Sequence, residues 1–194
     1  MTLYRTIVAD PPWRYGKFNS FSSTGKTATA GNLTDGPRDL PYAQMSVDEI
    51  AGLPVGEMAD EKAHLYVWTT QRYLWDARDV ATAWGFKPSC VLTWCKPPMG
   101  AALGFAFAPT SEFVVFAHRG GLEPTVRWES TWFAAPRPYI GKGGPTHSAK
   151  PDSFLDIVEQ VSPAPRLEMF ARRARFGWDY WGDQSLGTAE MEAA

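Results

Sequence analysis

Asp10-Pro11-Pro12-Trp13 puts a carboxylate, two ring-locked residues and an indole into four consecutive positions. Proline fixes φ and pushes the residue before it to extended geometry, so Asp10 and the Pro11 carbonyl are held in place. A carboxylate beside a carbonyl can accept hydrogen bonds from an exocyclic amine, and an indole offers a flat face to a planar ring. That combination suits chemistry on an amino nucleobase. Prolines also end strands routinely, so the tetrapeptide alone fits a strand end covered by a core tryptophan equally well.

The elements around it must decide. Tyr4 to Ala9 is a short apolar run and reads as a buried strand that delivers Asp10 to its end. Residues 14–40, rich in Gly, Ser and Thr, read as a long flexible loop over the active site. Ser46 and Glu49 form a capping box for a short helix to about Leu53, which Pro54 ends. Ala63 to Thr69 alternates as a strand. Gln71 to Trp84 is a helix, with Tyr73, Ala77, Val80 and Trp84 on one stripe and Gly85 as its cap. Phe86 to Cys95 and Glu112 to His118 are further strands, with loops at 96–110 and 119–146; Trp132 to Ala134 is a short strand within the second loop. His147 to Pro151 leads into a helix over Asp152 to Val161, followed by a strand over Leu167 to Phe170. Residues 1–184 form one domain and 185–194 a frayed tail. Strands alternating with helices favour an α/β fold around a mostly parallel sheet. Ligands then sit outside the carboxyl ends of the strands, which brings Asp10 and Arg172 to one rim.

Bulk composition narrows the partners. The chain has 194 residues, 44% of them hydrophobic, and a net charge of -2. That balance argues against a strong non-specific grip on duplex nucleic acid but permits a local basic patch or a basic partner. Cys90 and Cys95 have no zinc spacing and no probable disulfide geometry within one strand, which fits a reducing compartment. No metal site is expected. The first residues open into a strand without a signal-peptide layout, and no run reaches membrane-spanning length, so a cytoplasmic protein is expected.

Taken in order, the motifs resemble the MT-A70 family of S-adenosyl-L-methionine-dependent adenine N6-methyltransferases. They are Asp10-Pro11-Pro12-Trp13; Leu40-Pro41-Tyr42 with Met45-Ser46 and Asp48-Glu49; Leu65-Tyr66-Val67-Trp68-Thr69; Trp84-Gly85-Phe86; His147-Ser148-Ala149-Lys150-Pro151; Leu167-Glu168-Met169-Phe170-Ala171-Arg172; and Gly177-Trp178 with Trp181-Gly182-Asp183-Gln184. Each is weak alone; the ordered set is specific and covers nearly the whole chain.

The resemblance implies a class I methyltransferase fold, Rossmann-like, with a mostly parallel sheet of seven to eight strands. It also implies a permuted order, catalytic motif before cofactor motif. Asp10 and the Pro11 carbonyl would accept hydrogen bonds from the adenine amine, with Pro12 fixing the turn and Trp13 or Tyr42 stacking the base. Lys150 would meet the carboxylate of the cofactor's methionine moiety, and Asp10 its ammonium. Arg172, Asp183 and Gln184 match ribose-contacting positions, and Arg175 and His147 are further cofactor candidates, His147 with loop packing as its alternative. Tyr15, Trp68, Lys96 and Glu112 complete the substrate pocket; Glu112 fits a plain salt bridge equally well, and Lys96 a contact to substrate phosphate or to a loop partner. Compact members of this kind look like bacterial or phage DNA modifiers. DNA is therefore expected as substrate, with RNA as the near alternative and a homodimer or partner subunit compatible with the surface. A non-catalytic subunit would lose residues that this chain keeps, among them Asp10, Trp13, Lys150, Arg172 and Gln184. The contact to the cofactor adenine, made by an upstream segment in larger members, is expected to be missing or supplied elsewhere.

Overall fold

A computed structural model describes residues 2–17, 34–37, 43–96, 107, 109–138, 149–171 and 173–182. Nine strands and four α-helices are described: β1 (Tyr4–Ala9), β2 (Gly16–Lys17), β3 (Thr34–Pro37), α1 (Val47–Ala51), α2 (Val55–Met58), β4 (Ala59–Thr69), α3 (Leu74–Ala83), β5 (Lys87–Cys95), β6 (Ser111–Arg119), β7 (Trp132–Ala134), α4 (Asp152–Val161), β8 (Arg166–Met169) and β9 (Asp179–Trp181). Seven strands form one sheet in the order β7-β5-β6-β4-β1-β8-β9. β6 runs antiparallel to β4 and β5; the remaining pairings are parallel. The fold is α/β with a mixed, mostly parallel sheet.

Alternation along β1 divides the core into two layers, because successive strand residues face opposite sides. Ile7 and Ala9 join Leu65, Val67, Leu167 and Met169 under helices α1 to α3, where Ile50, Val80 and Trp84 close the layer. Val8 joins Tyr66 and Trp68 on the other face, against Phe154, Leu155 and Val158 of α4. A charge on β1's exit therefore sits above two packed layers, on the carboxyl rim of the central strand.

Local signals account for most boundaries. The capping box at α1 is fully formed: Ser46 Oγ accepts from the Glu49 N–H, and the Glu49 carboxylate accepts from the Ser46 N–H at 2.7 Å. These bonds hold the Glu49 carboxyl below its ordinary range. Trp84 seals the same layer with its indole N–H on the Ile50 carbonyl, 3.1 Å.

α1 ends before Pro54 as expected, and Pro54 also stands as the N-cap of α2. Two expectations are corrected. The helix expected over Gln71 to Trp84 begins as a 3₁₀ turn, Gln71–Tyr73, before α3. Residues 14–40 are not loop throughout, since β2 and β3 pair antiparallel within them. A last strand after Arg172 is present, as the order of elements implied: β9 pairs with β8 at the sheet edge.

Candidate active site

The turn after β1 is tight. The Trp13 N–H reaches back to the Pro11 carbonyl at 2.8 Å, and the Met45 N–H bonds the Pro12 carbonyl at 2.9 Å. The Pro11 carbonyl keeps a second lone pair, since an amide oxygen carries two. Asp10 is anchored from the opposite strand, its N–H on the Met169 carbonyl of β8.

Charge is arranged around Asp10 in a row. Lys150 Nζ lies 2.8 Å from Asp10 Oδ2 and 3.6 Å from Glu112 Oε2; Glu112 Oε1 lies 3.0 Å from Lys96 Nζ. Acid and base thus alternate from Asp10 through Lys150 and Glu112 to Lys96. They come from the exits of β1 and β5, the start of β6 and the approach to α4. Beneath the row, Lys150 lies over the Trp68 ring at 5.3 Å and Lys96 over the Trp94 ring at 5.4 Å. The two indoles meet edge to face, 5.9 Å between centroids. The ring quadrupoles of this buried aromatic floor attract the two ammonium groups. Arg173 steadies the Lys150 segment, pairing with Asp152 and donating to the Lys150 carbonyl at 3.4 Å.

A carboxyl that the sequence reading passed over completes the rim. Glu168 pairs in register with Val8, two positions before Asp10, on the adjoining strand. Burial, reinforced by the Asp10 charge, pushes its carboxyl up to about 7. An acidic residue between apolar neighbours in Leu167-Glu168-Met169 was the available signal. Tyr15 lies at the other side, its hydroxyl 3.0 Å from Thr70 Oγ1; burial pushes that phenol up, with the Asp10 and Glu112 charges in the same direction.

Several candidates occupy other places than expected. Trp13 does not present a stacking face: it is 3% exposed, lies parallel to the Tyr73 ring at 5.2 Å, and donates its indole N–H to the Trp68 carbonyl at 2.9 Å. The tight Pro11–Trp13 turn aims the indole into the core. Trp68 is equally buried and forms floor rather than wall. Lys96 does not reach outward; its side chain is 7% exposed and committed to Glu112. Arg175 turns away from the rim to α4, donating to Glu159 Oε1 at 2.7 Å and to Asp156 Oδ1 at 2.6 Å, while the Trp178 indole shares Glu159. Those bonds raise the Arg175 guanidinium further and lower the Glu159 carboxyl. Tyr42, His147, Arg172, Asp183 and Gln184 lie outside the described residues.

What the row can do follows from its donors and acceptors. Asp10 gives Oδ2 to Lys150, and among the described residues Oδ1 takes no hydrogen bond. A fixed carboxylate oxygen beside the Pro11 carbonyl suits an amine with two hydrogens. Two carboxylates flanking an ammonium suit a zwitterion, the carboxylates taking its cation and the lysine its anion.

The model of the family described as MT-A70 matches residues 4–184. A Type II methyltransferase, M.MunI, from Mycoplasma sp is 30% identical over 185 residues, 92% of this chain and 76% of that protein. The N(6)-adenosine-methyltransferase MT-A70-like protein of Drosophila melanogaster is 25% identical over 87% of this chain, and the one of Arabidopsis thaliana 24% identical over 95%. This chain spans 24% of the length of each of those two.

Proposed function

The chain belongs to the MT-A70 family, and from that premise we propose that it transfers a methyl group from S-adenosyl-L-methionine to N6 of an adenine in DNA. The observation that carries the proposal is Asp10: a carboxylate at the exit of the central strand, fixed by Lys150 at 2.8 Å, beside a carbonyl whose turn is locked by two prolines. The N6 lone pair is delocalised into the adenine ring, so the amine is a weak nucleophile. Asp10 Oδ1 and the Pro11 carbonyl accept its two hydrogens and draw the lone pair back onto nitrogen. Acceleration then comes from positioning and from acceptors that need no rearrangement. A base inside a duplex must first be extruded to reach them.

The rim fits the cofactor's amino-acid end. Asp10 and Glu168 would take its ammonium and Lys150 its carboxylate, with His147, Arg172, Asp183 and Gln184 assigned to it by family position. Bound there, the cofactor supplies an electrophilic methyl group on sulfur. Arg175 has no place in this set, and the base-stacking role falls to Tyr42 or Tyr15 rather than to Trp13. Glu112 and Lys96 act as positioning residues that hold Lys150 from its far side. We read the sheet as a class I methyltransferase fold in permuted order, with residues 1–184 as one domain. The type II name of the Mycoplasma relative, at 30% identity, supports DNA. The adenosine names of the insect and plant relatives support RNA as the second reading.

The experiment is transfer of labelled methyl from S-adenosyl-L-methionine to matched DNA and RNA, single- and double-stranded, with Asp10→Ala alongside. N6-methyladenine in the DNA pools, absent with the variant, is the expected result. Label in RNA alone would replace the substrate, and no label in any pool while cofactor still binds would overturn the proposal.

A further inference from the structure

A second surface lies at the far edge of the sheet. Val126, Trp128 and Trp132 are exposed, Trp128 at 40% and Trp132 at 59%. Large apolar side chains left exposed beside one another mark a binding face more often than chance, and Trp128 and Trp132 share one surface feature. Here it is concave: Arg127, Trp128 and Trp132 line one open groove of about 580 Å³ formed by residues 127–132. Its frame is fixed, since the Trp132 N–H bonds Ser130 Oγ at 3.1 Å and the Thr131 carbonyl accepts from the Thr93 N–H at 2.8 Å. None of these residues belongs to the charged row.

β7 pairs in parallel with β5, Trp132 opposite Thr93 and Ala134 opposite Cys95, so the groove leads into the start of β7 and its last residue lies three positions, roughly 10 Å, before the level of Lys96. Its strand lies four inter-strand steps from β1, roughly 19 Å at the usual ~4.8 Å spacing. A strand of stacked nucleotides covers that distance with about five to six residues at ~3.4 Å each.

The occupant follows from charge and ring chemistry. With a net charge of -2, the protein as a whole does not attract a polyanion. Affinity for a DNA strand must then come from local contacts, and stacking on aromatic rings needs little charge. Two exposed indoles with a guanidinium beside them match a planar base and a phosphodiester. Glu129, in the same groove, repels phosphate from its own side and so directs the backbone toward Arg127. We propose that this groove stacks unpaired DNA bases flanking the adenine that is methylated. The proposal rests on the DNA reading above and extends it to a strand-binding surface.

The test uses fluorescein-labelled oligo(dT) of 6 and 24 nucleotides, read by anisotropy with the full chain. The Trp128→Ala/Trp132→Ala double variant should bind the longer probe about 10-fold or more weakly, at the usual ~1–3 kcal/mol per stacked base. Phe at both positions should restore binding to within about threefold, and Arg127→Gln should lower the salt slope by about 1. Cofactor affinity and the thermal midpoint should not move. Binding of the double variant within twofold of the parent would overturn the proposal. So would a change from dimer to monomer in sedimentation, which would give the groove to a second copy of the chain. Absence of methyl transfer with indole-dependent oligo(dT) binding intact would fell the functional reading and leave the groove; methylated DNA with no indole dependence would do the reverse.

Discussion

Replacing Glu168 by Gln separates what the rim costs from what it does. Its carboxyl titrates at about 7 in the fold instead of 4.5, chiefly through burial and next through the Asp10 charge. At ~1.4 kcal/mol per pH unit, ionising it costs the folded state up to about 3 kcal/mol, and partial solvent access reduces that to about 1–2 kcal/mol. The sign follows from proton binding. The folded state holds this proton more tightly than the unfolded chain, so Glu168 contributes stability below its unfolded value near 4.5. That contribution is lost as pH rises through about 7. Glu168→Gln cannot ionise, so it should match the parent near pH 4, below the unfolded value, and be more stable by about 1–2 kcal/mol at pH 8. Urea unfolding over that range measures the difference. In parallel, calorimetry should find that S-adenosyl-L-methionine affinity of the parent rises with pH through about 7 and that the variant's affinity stays low and flat. A stability difference that does not change with pH would refute the reasoning.

Other expected outcomes follow from single contacts. Lys150→Met leaves Asp10 and Glu112 facing each other without their shared cation; it should weaken cofactor binding at least about 10-fold and lower stability by about 1–3 kcal/mol, both measurable by calorimetry and urea titration. Trp13→Ala should cost about 3–5 kcal/mol in urea unfolding, as a buried indole does; a folded variant with lost activity alone would restore the stacking role. Gly120→Ala meets a left-handed turn, φ +63°, and its new Cβ would collide with the Glu61 carbonyl oxygen. It should lower the thermal midpoint sharply, by more than about 3 kcal/mol in stability, and an unchanged midpoint would contradict the β4–β6 geometry. Arg175→Ala should destabilise the fold by about 1–3 kcal/mol with cofactor affinity unchanged, since its partners lie on α4; loss of affinity at full stability would return it to the cofactor site.

The sequence carried the frame well where the signal was local. A Ser46 and Glu49 capping pair, the apolar stripe of α4 and the β-rich run of β1 each answer to neighbouring residues, and each stands where it was expected. Asp10 and Lys150 were legible as chemistry, although 140 positions apart, because each sits at a strand or helix terminus of an α/β chain. Side-chain direction was not legible. Trp13 turns inward because of a backbone turn that types and spacing do not encode, and Lys96 is committed to Glu112 by the antiparallel β5–β6 pairing. Glu168 was overlooked because strand alternation explains an acidic residue as solvated, and its loss of water is visible only in the folded sheet. Arg175 was misplaced because an arginine after a carboxyl-end strand resembles a ligand residue until the acidic face of α4 comes into view.

The place of β1 in the sheet has a consequence for how the molecule is made. It is a central strand, with β4 on one side and β8 on the other, and Ile7 pairs with Leu167. During synthesis β1 and β4 can meet early, but the β8 side of β1 stays open until most of the chain has left the ribosome. Long-range parallel pairing of this kind is slow, and an open apolar strand edge is prone to wrong pairing while it waits. Asp10, at the end of that strand, acquires its backbone anchor only when β8 docks. Assembly of the rim around Asp10 is therefore a last event of folding, and premature release of the nascent chain yields a sheet with a live edge and an incomplete rim.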